Sequence, residues 1–273
     1  MPAAGIEIIC PRPAAASPRM ALFDFDGTLS LIREGWQGVM MPMMVELLRQ
    51  TPRAEREAKL RAVVAEFVDR LTGKQTIYQM IQLCHEIEQR GGQAKDPLIY
   101  KRMYLDRLWK RIESRLVALK TGQIPPERLM VPGAAAMLKT LRRRGVTCYL
   151  ASGTDEADVR AEAVALGLAP SFAGIYGAQD NYQTFSKRMV IARIIAENNL
   201  AGEQLVAFGD GYVEIEETKA AGGIAVGIAS NEADPGRIDR RKRRRLIAAG
   251  ADIIAPDFTS HRQLAACLLG GEN

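Results

Sequence analysis

The feature that most restricts the fold is a change of period partway along the chain. From residue 126 onward, short apolar runs alternate with helix-length amphipathic segments. The runs are Val146–Ala151, Phe172–Tyr176, Leu205–Phe208, Ile224–Ile228 and Ile253–Ile254. Between them the pattern predicts helices near 133–144, 155–166, 187–199, 213–221, 237–248 and 260–269. Gly145, Gly167, Gly222 and Gly250 fall just after four of these segments, where a left-handed residue commonly ends a helix. Strands that are apolar throughout need cover on both faces, and alternation with helices supplies it. The expectation is an α/β fold with a Rossmann-like parallel sheet.

One more apolar run, Met20–Phe23, belongs with this set but sits far upstream. The stretch in between reads differently. Leu60, Val63, Val64, Phe67, Val68 and Leu71 recur with helical spacing and mark one apolar stripe. Ile77, Met80, Ile81 and Cys84 mark a second, and Leu105, Leu108, Trp109, Ile112 and Leu116 a third. No strand-like alternation occurs there, and Pro125 with Pro126 closes the segment. The expected organisation is a core of 18–32 and 126–273, an all-helical insert at 33–125, and an N-terminal extension of 1–17.

The upstream strand runs into Phe23-Asp24-Phe25-Asp26-Gly27-Thr28. Alternation along a strand puts Asp24 and Asp26 on the same side. Two carboxylates at the carboxyl end of a buried strand are costly unless they serve a cation or a reaction. That end of an open α/β sheet is also where ligands bind. The competing reading is structural, with Asp-Gly-Thr simply capping the turn.

These residues resemble the first motif of the haloacid dehalogenase superfamily of phosphotransferases, and three further motifs follow in that superfamily's order. Ser152 stands at the end of the next core strand, in Leu150-Ala151-Ser152-Gly153-Thr154; Lys187 opens a later helix, in Phe185-Ser186-Lys187-Arg188; and Asp210 follows another strand, in Phe208-Gly209-Asp210-Gly211. The helical insert falls between motifs one and two, where phosphoglycolate phosphatases and their relatives carry a cap. The resemblance implies a phosphatase for small phosphorylated metabolites. Asp24 would be the nucleophile that forms an aspartyl-phosphate, and Asp26 the acid and base. Ser152, backbone N–H groups at Gly153 and the Lys187 ammonium would hold the phosphoryl oxygens. Mg²⁺ is the implied cofactor, a hard cation that takes oxygen ligands, here from Asp24, Asp210 and the backbone carbonyl of Asp26.

The sequence departs from the superfamily pattern at one point. A second acidic residue four positions after Asp210 is often Asp, and here it is Glu214. One methylene longer, it would reach a metal-bound water rather than the metal; the plainer reading is a glutamate favouring the positive end of a surface helix. Glu216 and Glu217 read as decoration of that helix. Arg33, Glu34 and Trp36, and the break Gly73-Lys74-Gln75-Thr76 between insert helices, are candidates for substrate contact.

Charge adds a rival reading and then confines it. Lys and Arg total 37 against 32 Asp and Glu, a net of +5, yet Arg237–Arg245 alone carries +6, so the rest of the chain sums to −1. A nucleic-acid footprint would have to rest on 240–245. If that segment lies on a core helix returning from a parallel strand, Arg240–Arg245 trend away from the catalytic edge, and a solvated helix face is expected. Nucleic acid is therefore not the favoured partner. A sugar phosphomutase of the same superfamily is the alternative enzyme. His85 and His261 are the only histidines, and neither has a motif around it. Cys10, Cys84, Cys148 and Cys267 are scattered as reduced thiols are. No run approaches the length of a membrane span, and Ile6–Cys10 lacks the length and basic start of a secretory signal. A cytoplasmic protein is expected.

Overall fold

The computed structural model describes residues 5–11, 18–179 and 181–270. Seven strands form one sheet: β1 (Glu7–Ile8), β2 (Met20–Phe23), β3 (Thr147–Asp155), β4 (Gly174–Ala178), β5 (Leu205–Gly209), β6 (Ile224–Ile228) and β7 (Ile253–Ala255). Their order is β1-β7-β6-β5-β2-β3-β4. Every pairing is parallel except that of β1 with β7. The sheet is thus mixed rather than wholly parallel. The difference lies in the stretch expected to be an extension, where Glu7–Ile8 pairs along the open edge of β7. A short strand with a charged residue suits an edge, and Glu7 receives the Arg243 guanidinium at 2.7 Å.

The helices of the core are α5 (Ala134–Arg143), α6 (Glu156–Ala165), α7 (Lys187–Glu197), α8 (Tyr212–Ala220), α9 (Arg240–Ala248) and α10 (His261–Leu269). They match the six expected segments within a few residues. Gly145, Gly167, Gly222 and Gly250 all take positive φ, as predicted for helix ends. The largest boundary difference is in α9, which starts at Arg240 rather than 237. A bridge between Ser230 and Ile238 holds the preceding residues extended, and Asp239 caps the helix by accepting from the N–H groups of Arg241 and Lys242.

Alternation along β2 covers both faces of the sheet. Ala21 and Phe23 join Val206 and Phe208 in one apolar cluster, where the rings of Phe23 and Phe208 stack at 4.5 Å. Met20 and Leu22 join Leu205, Ala207 and the α7 residues Val190, Ile191 and Ile194 in another.

Four helices lie between β2 and α5: α1 (Gln37–Arg49), α2 (Glu57–Leu71), α3 (Thr76–Gln89) and α4 (Pro97–Lys120). The three stripes fall on α2, α3 and α4, where Leu60, Val64, Phe67, Met80, Leu108 and Ile112 are buried. Trp109, counted in the third stripe, is 49% exposed, because it sits one residue beyond Leu108 and so at the margin of the buried face. The sequence pattern missed α1. Its buried face is built on Met40, Met43, Met44 and Leu48, and it contains Pro42, a residue that argues against a helix interior. No helix among the described residues is long and apolar enough to cross a membrane.

Candidate active site

Strand register brings the candidate residues together. Phe23 pairs with Leu150 on one side and Phe208 on the other. Asp24 follows Phe23, while Ser152 and Asp210 each lie two residues beyond their paired positions. The three groups therefore stand on neighbouring strands at one level of the carboxyl edge. It is also where the strand order reverses, since the chain passes from β2 out to β3 and β4 and then returns to β5 on the opposite side.

Asp24, Asp26, Ser152, Gly153, Lys187 and Asp210 all line one cavity of about 90 Å³. The seventh candidate, Glu214, is buried and meets this group through Lys187. The Lys187 ammonium donates to Asp24 Oδ1 at 2.8 Å and Glu214 Oε2 at 2.9 Å, and Glu214 Oε1 accepts from Gly211 N–H at 3.0 Å. Glu214 is thus no surface glutamate, being 1% exposed. Burial alone would lower the Lys187 pKa, but the two carboxylates outweigh it and hold the ammonium firmly protonated. Burial pushes the Asp24 carboxyl well above its usual range; Lys187 opposes the shift, while Glu214 and Asp210 add to it.

Asp26 is held differently. Its Oδ2 accepts a 2.7 Å hydrogen bond from the Thr154 hydroxyl, and its Oδ1 is buried without a partner. Burial raises the Asp26 carboxyl, against the pull of Arg33 and the Thr154 hydrogen bond. Thr154 is a site residue that the sequence motifs did not mark. β3 continues through Asp155, the first helical residue of α6 is Glu156, and the Thr154 hydroxyl turns to Asp26. Ser152 Oγ accepts from Thr154 N–H at 3.1 Å, which fixes the turn at the strand end.

The insert closes the other side of the cavity. Trp36, Met40, Lys74, Gln79 and Tyr104 line it, together with Arg33 at the start of the insert. Arg33 is buried and donates to Glu162 at 2.7 Å and Asp158 at 3.0 Å, both on α6. Glu34 does not line this cavity; it pairs with Arg115 of α4 at 2.8 Å. The break at Gly73–Thr76 comes down over the β3 turn, where a Cβ on Gly153 would meet the Lys74 carbonyl oxygen at 2.7 Å. His85 and His261 lie outside the cavity lining, and His261 Nδ1 meets the Thr140 hydroxyl at 2.9 Å.

The basic run departs from expectation in part. Arg240, Arg241 and Arg244 are exposed, as a solvated face requires, yet Arg241 and Arg245 also pair with Asp69 of α2 at 3.0 and 2.7 Å, and Arg243 pairs with Glu7. Lys242 reaches the catalytic edge, with Nζ 2.6 Å from Asp210 Oδ2 and 2.8 Å from Glu232 Oε1. The expected direction was wrong because α9 starts three residues later, which puts Lys242 in its first turn beside β5 and β6. Sequence reasoning also missed Glu232, which carries no motif and follows β6 in a loop.

A divalent cation fits this donor set. Asp24, Asp210 and Glu214 each offer a carboxylate oxygen, and these oxygens lie within 4.8 Å of one another. Asp24 and Glu214 share the Lys187 ammonium, and Asp210 and Glu232 the Lys242 ammonium, so each cation serves two carboxylates and a hard oxygen-seeking ion would relieve their mutual repulsion.

Comparison with known proteins agrees with this fold. A family model described as a haloacid dehalogenase-like hydrolase matches residues 18–222. No curated protein sequence matches the chain. Among solved structures, a predicted phosphoglycolate phosphatase from Haemophilus somnus is similar, with 15% identity, coverage of 91% of this chain and 98% of that one, and a TM-score of 0.58. A β-phosphoglucomutase from Clostridium difficile has 10% identity, coverage of 89% and 92%, and a TM-score of 0.58. The CbbY protein of Rhodobacter sphaeroides, solved with xylulose-1,5-bisphosphate, has 18% identity, coverage of 88% and 95%, and a TM-score of 0.56. These likenesses speak to the fold, and the family model, which spans most of the sequence, settles membership: the chain belongs to the haloacid dehalogenase-like hydrolases.

Proposed function

We propose that the protein is a Mg²⁺-dependent phosphomonoester hydrolase that acts on a small phosphorylated metabolite through an aspartyl-phosphate. The observation that carries this reading is a pair of buried carboxylates at the end of β2 held by different partners, Asp24 by an ammonium and Asp26 by a hydroxyl. At Asp24 the Lys187 ammonium opposes the upward push of burial and of the neighbouring carboxylates, and a bound cation would oppose it further, towards the ionised nucleophile. Asp26 is bonded at one oxygen by a neutral hydroxyl and unpartnered at the other, which favours a proton carrier.

In the first step an Asp24 oxygen bonds to phosphorus while the ester P–O bond breaks. The departing oxygen keeps the electron pair and takes the Asp26 proton. In the second step water attacks phosphorus, gives its proton to Asp26, and the Asp24–phosphorus bond breaks to release phosphate. Lys187, Ser152 and the N–H groups around Gly153 hold the phosphoryl oxygens through both steps. Mg²⁺, held by Asp24, Asp210 and the Asp26 carbonyl with Glu214 beside it, would supply charge neutralisation between carboxylate and phosphate. We assign 33–125 as a cap over a core of 18–32 and 126–273. The small cavity under it supports a short leaving group and the exclusion of water.

The test is hydrolysis of a generic aryl phosphate with Mg²⁺. Asp24→Asn should abolish turnover while the chain still folds and melts cooperatively; hydrolysis retained in that variant would sink the assignment. A panel of phosphorylated metabolites then identifies the substrate. Isomerised sugar phosphate with little free phosphate would mark the phosphomutase alternative.

A further inference from the structure

One cation at the catalytic edge has no part in the steps above. Lys242 is 2.6 Å from Asp210 Oδ2, 2.8 Å from Glu232 Oε1 and 3.3 Å from Ser230 Oγ. Ser230 in turn donates its hydroxyl to the Gly27 carbonyl. Gly27 forms the turn just after Asp26 at φ +74°; a Cβ there would collide with Asp210 Oδ2 and lie 3.1 Å from Glu232 Oε1. The turn after β2, the carboxylate after β5 and the loop after β6 thus converge on a single ammonium.

The helix that presents it is tied down on several sides. Asp239 caps it, Arg243 binds Glu7, Arg245 binds Asp69, and Leu246 is buried against β6 and β7. Lys242 therefore reaches Asp210 from a rigid base. No bond joins it to Asp24 or Asp26 among the described residues.

We propose that Lys242 is a positioning residue: by gripping Asp210 and Glu232 together it fixes the Asp210 carboxylate in the orientation that Mg²⁺ requires. This rests on the functional reading above. Mg²⁺ demands near-ideal octahedral geometry, whereas Ca²⁺ accepts irregular shells. Positioning and simple charge balance therefore predict opposite results. Loss of positioning weakens Mg²⁺ selectively. Loss of a competing positive charge strengthens the binding of any cation.

The experiment is calorimetric titration of the full chain with Mg²⁺ and, separately, Ca²⁺, without substrate. Lys242→Met should weaken Mg²⁺ by about 10- to 100-fold, the range for loss of a group that orients a ligand. Ca²⁺ should stay within roughly threefold because its shell is adaptable. If both ions bind as tightly as before or more tightly, the inference is overturned. If Lys242→Met does not melt cooperatively, Glu232→Gln carries the test. It frees one anchor of the ammonium and should still lower the Mg²⁺/Ca²⁺ affinity ratio; an unchanged ratio overturns the inference. A wild-type protein that binds no Mg²⁺ overturns both this inference and the functional reading. A wild-type protein that binds Mg²⁺ and loses turnover in Asp24→Asn keeps that reading, whatever Lys242 shows.

Discussion

Helices α7 and α9 pack on one face of the sheet, and each delivers a lysine to the same edge. Lys187 is the first residue of α7, and Lys242 the third of α9. A cation in a first turn opposes the helix dipole, at a cost of about 0.3–1 kcal/mol, so each position depends on its carboxylates. Lys187 bridges Asp24 and Glu214, and Lys242 bridges Asp210 and Glu232. They differ in setting. Lys187 leads a helix whose buried residues are otherwise aliphatic, and its side chain is 3% exposed. Lys242 sits among five arginines at 17%. Local charge density therefore says little about which cation serves the site. What matters is the side chain drawn inward to unpaired carboxylates.

The comparison breaks most sharply at Lys187. Replacing it with Met leaves Asp24 and Glu214 buried without their ammonium. Stability should fall by about 3–5 kcal/mol, as when one partner of a buried pair is removed. Turnover should fall by about 10²–10³-fold through loss of a preorganised charge on the phosphoryl oxygens. Urea unfolding and steady-state assays measure the two separately. Turnover near wild type would show that Lys187, like Lys242, only positions a carboxylate.

Much of this edge was legible because strand alternation and helix starts are local signals. Asp24, Asp26, Ser152 and Asp210 follow apolar runs, and Lys187 follows Ser186, whose hydroxyl caps α7 by accepting from Met189 N–H. Lys242 was hidden because its partners are remote in sequence and α9 begins later than its charge pattern suggests. Glu232 was hidden for the same reason, since nothing near it in sequence marks a loop that folds back beside Asp210. β1 is two residues long, too short to show a period, and Pro42 disguised α1. Thr154 stayed unmarked because a Ser or Thr after a strand is common as the cap of the next helix, and only the third dimension shows its hydroxyl on Asp26.

Thr154 supplies a finer test, because it supports a carboxylate with a neutral hydroxyl where the two lysines use charge. Thr154→Val keeps the shape and removes the donor to Asp26 Oδ2. That hydrogen bond holds the Asp26 carboxyl down against burial, so its loss raises the carboxyl further. As the general acid Asp26 must be protonated, so the rate falls as pH rises through its pKa. In Thr154→Val that fall should move to higher pH. The maximal rate should drop about tenfold, in line with a hydrogen bond to an ionisable group. A pH profile of kcat/KM checks both, and an unmoved alkaline limb would remove Thr154 from the acid–base machinery.

The smallest expected effect comes from an ion pair with no cavity beside it, a baseline for the sheet-edge pairs. Arg90, after α3, donates to Glu55, before α2, at 2.6 and 3.2 Å. These hydrogen bonds hold the Glu55 carboxyl at about 2, against 4.5 ordinarily. A depressed folded-state value means that the pair stabilises the fold above pH 4.5 and fades as pH falls towards 2. Glu55→Gln should therefore melt no more than a few degrees below wild type at neutral pH, where turnover is unchanged. The gap should close as the solution is acidified through that window. Melting curves across the range decide the matter: a gap independent of pH would mean that Glu55 acts through packing and not through its charge.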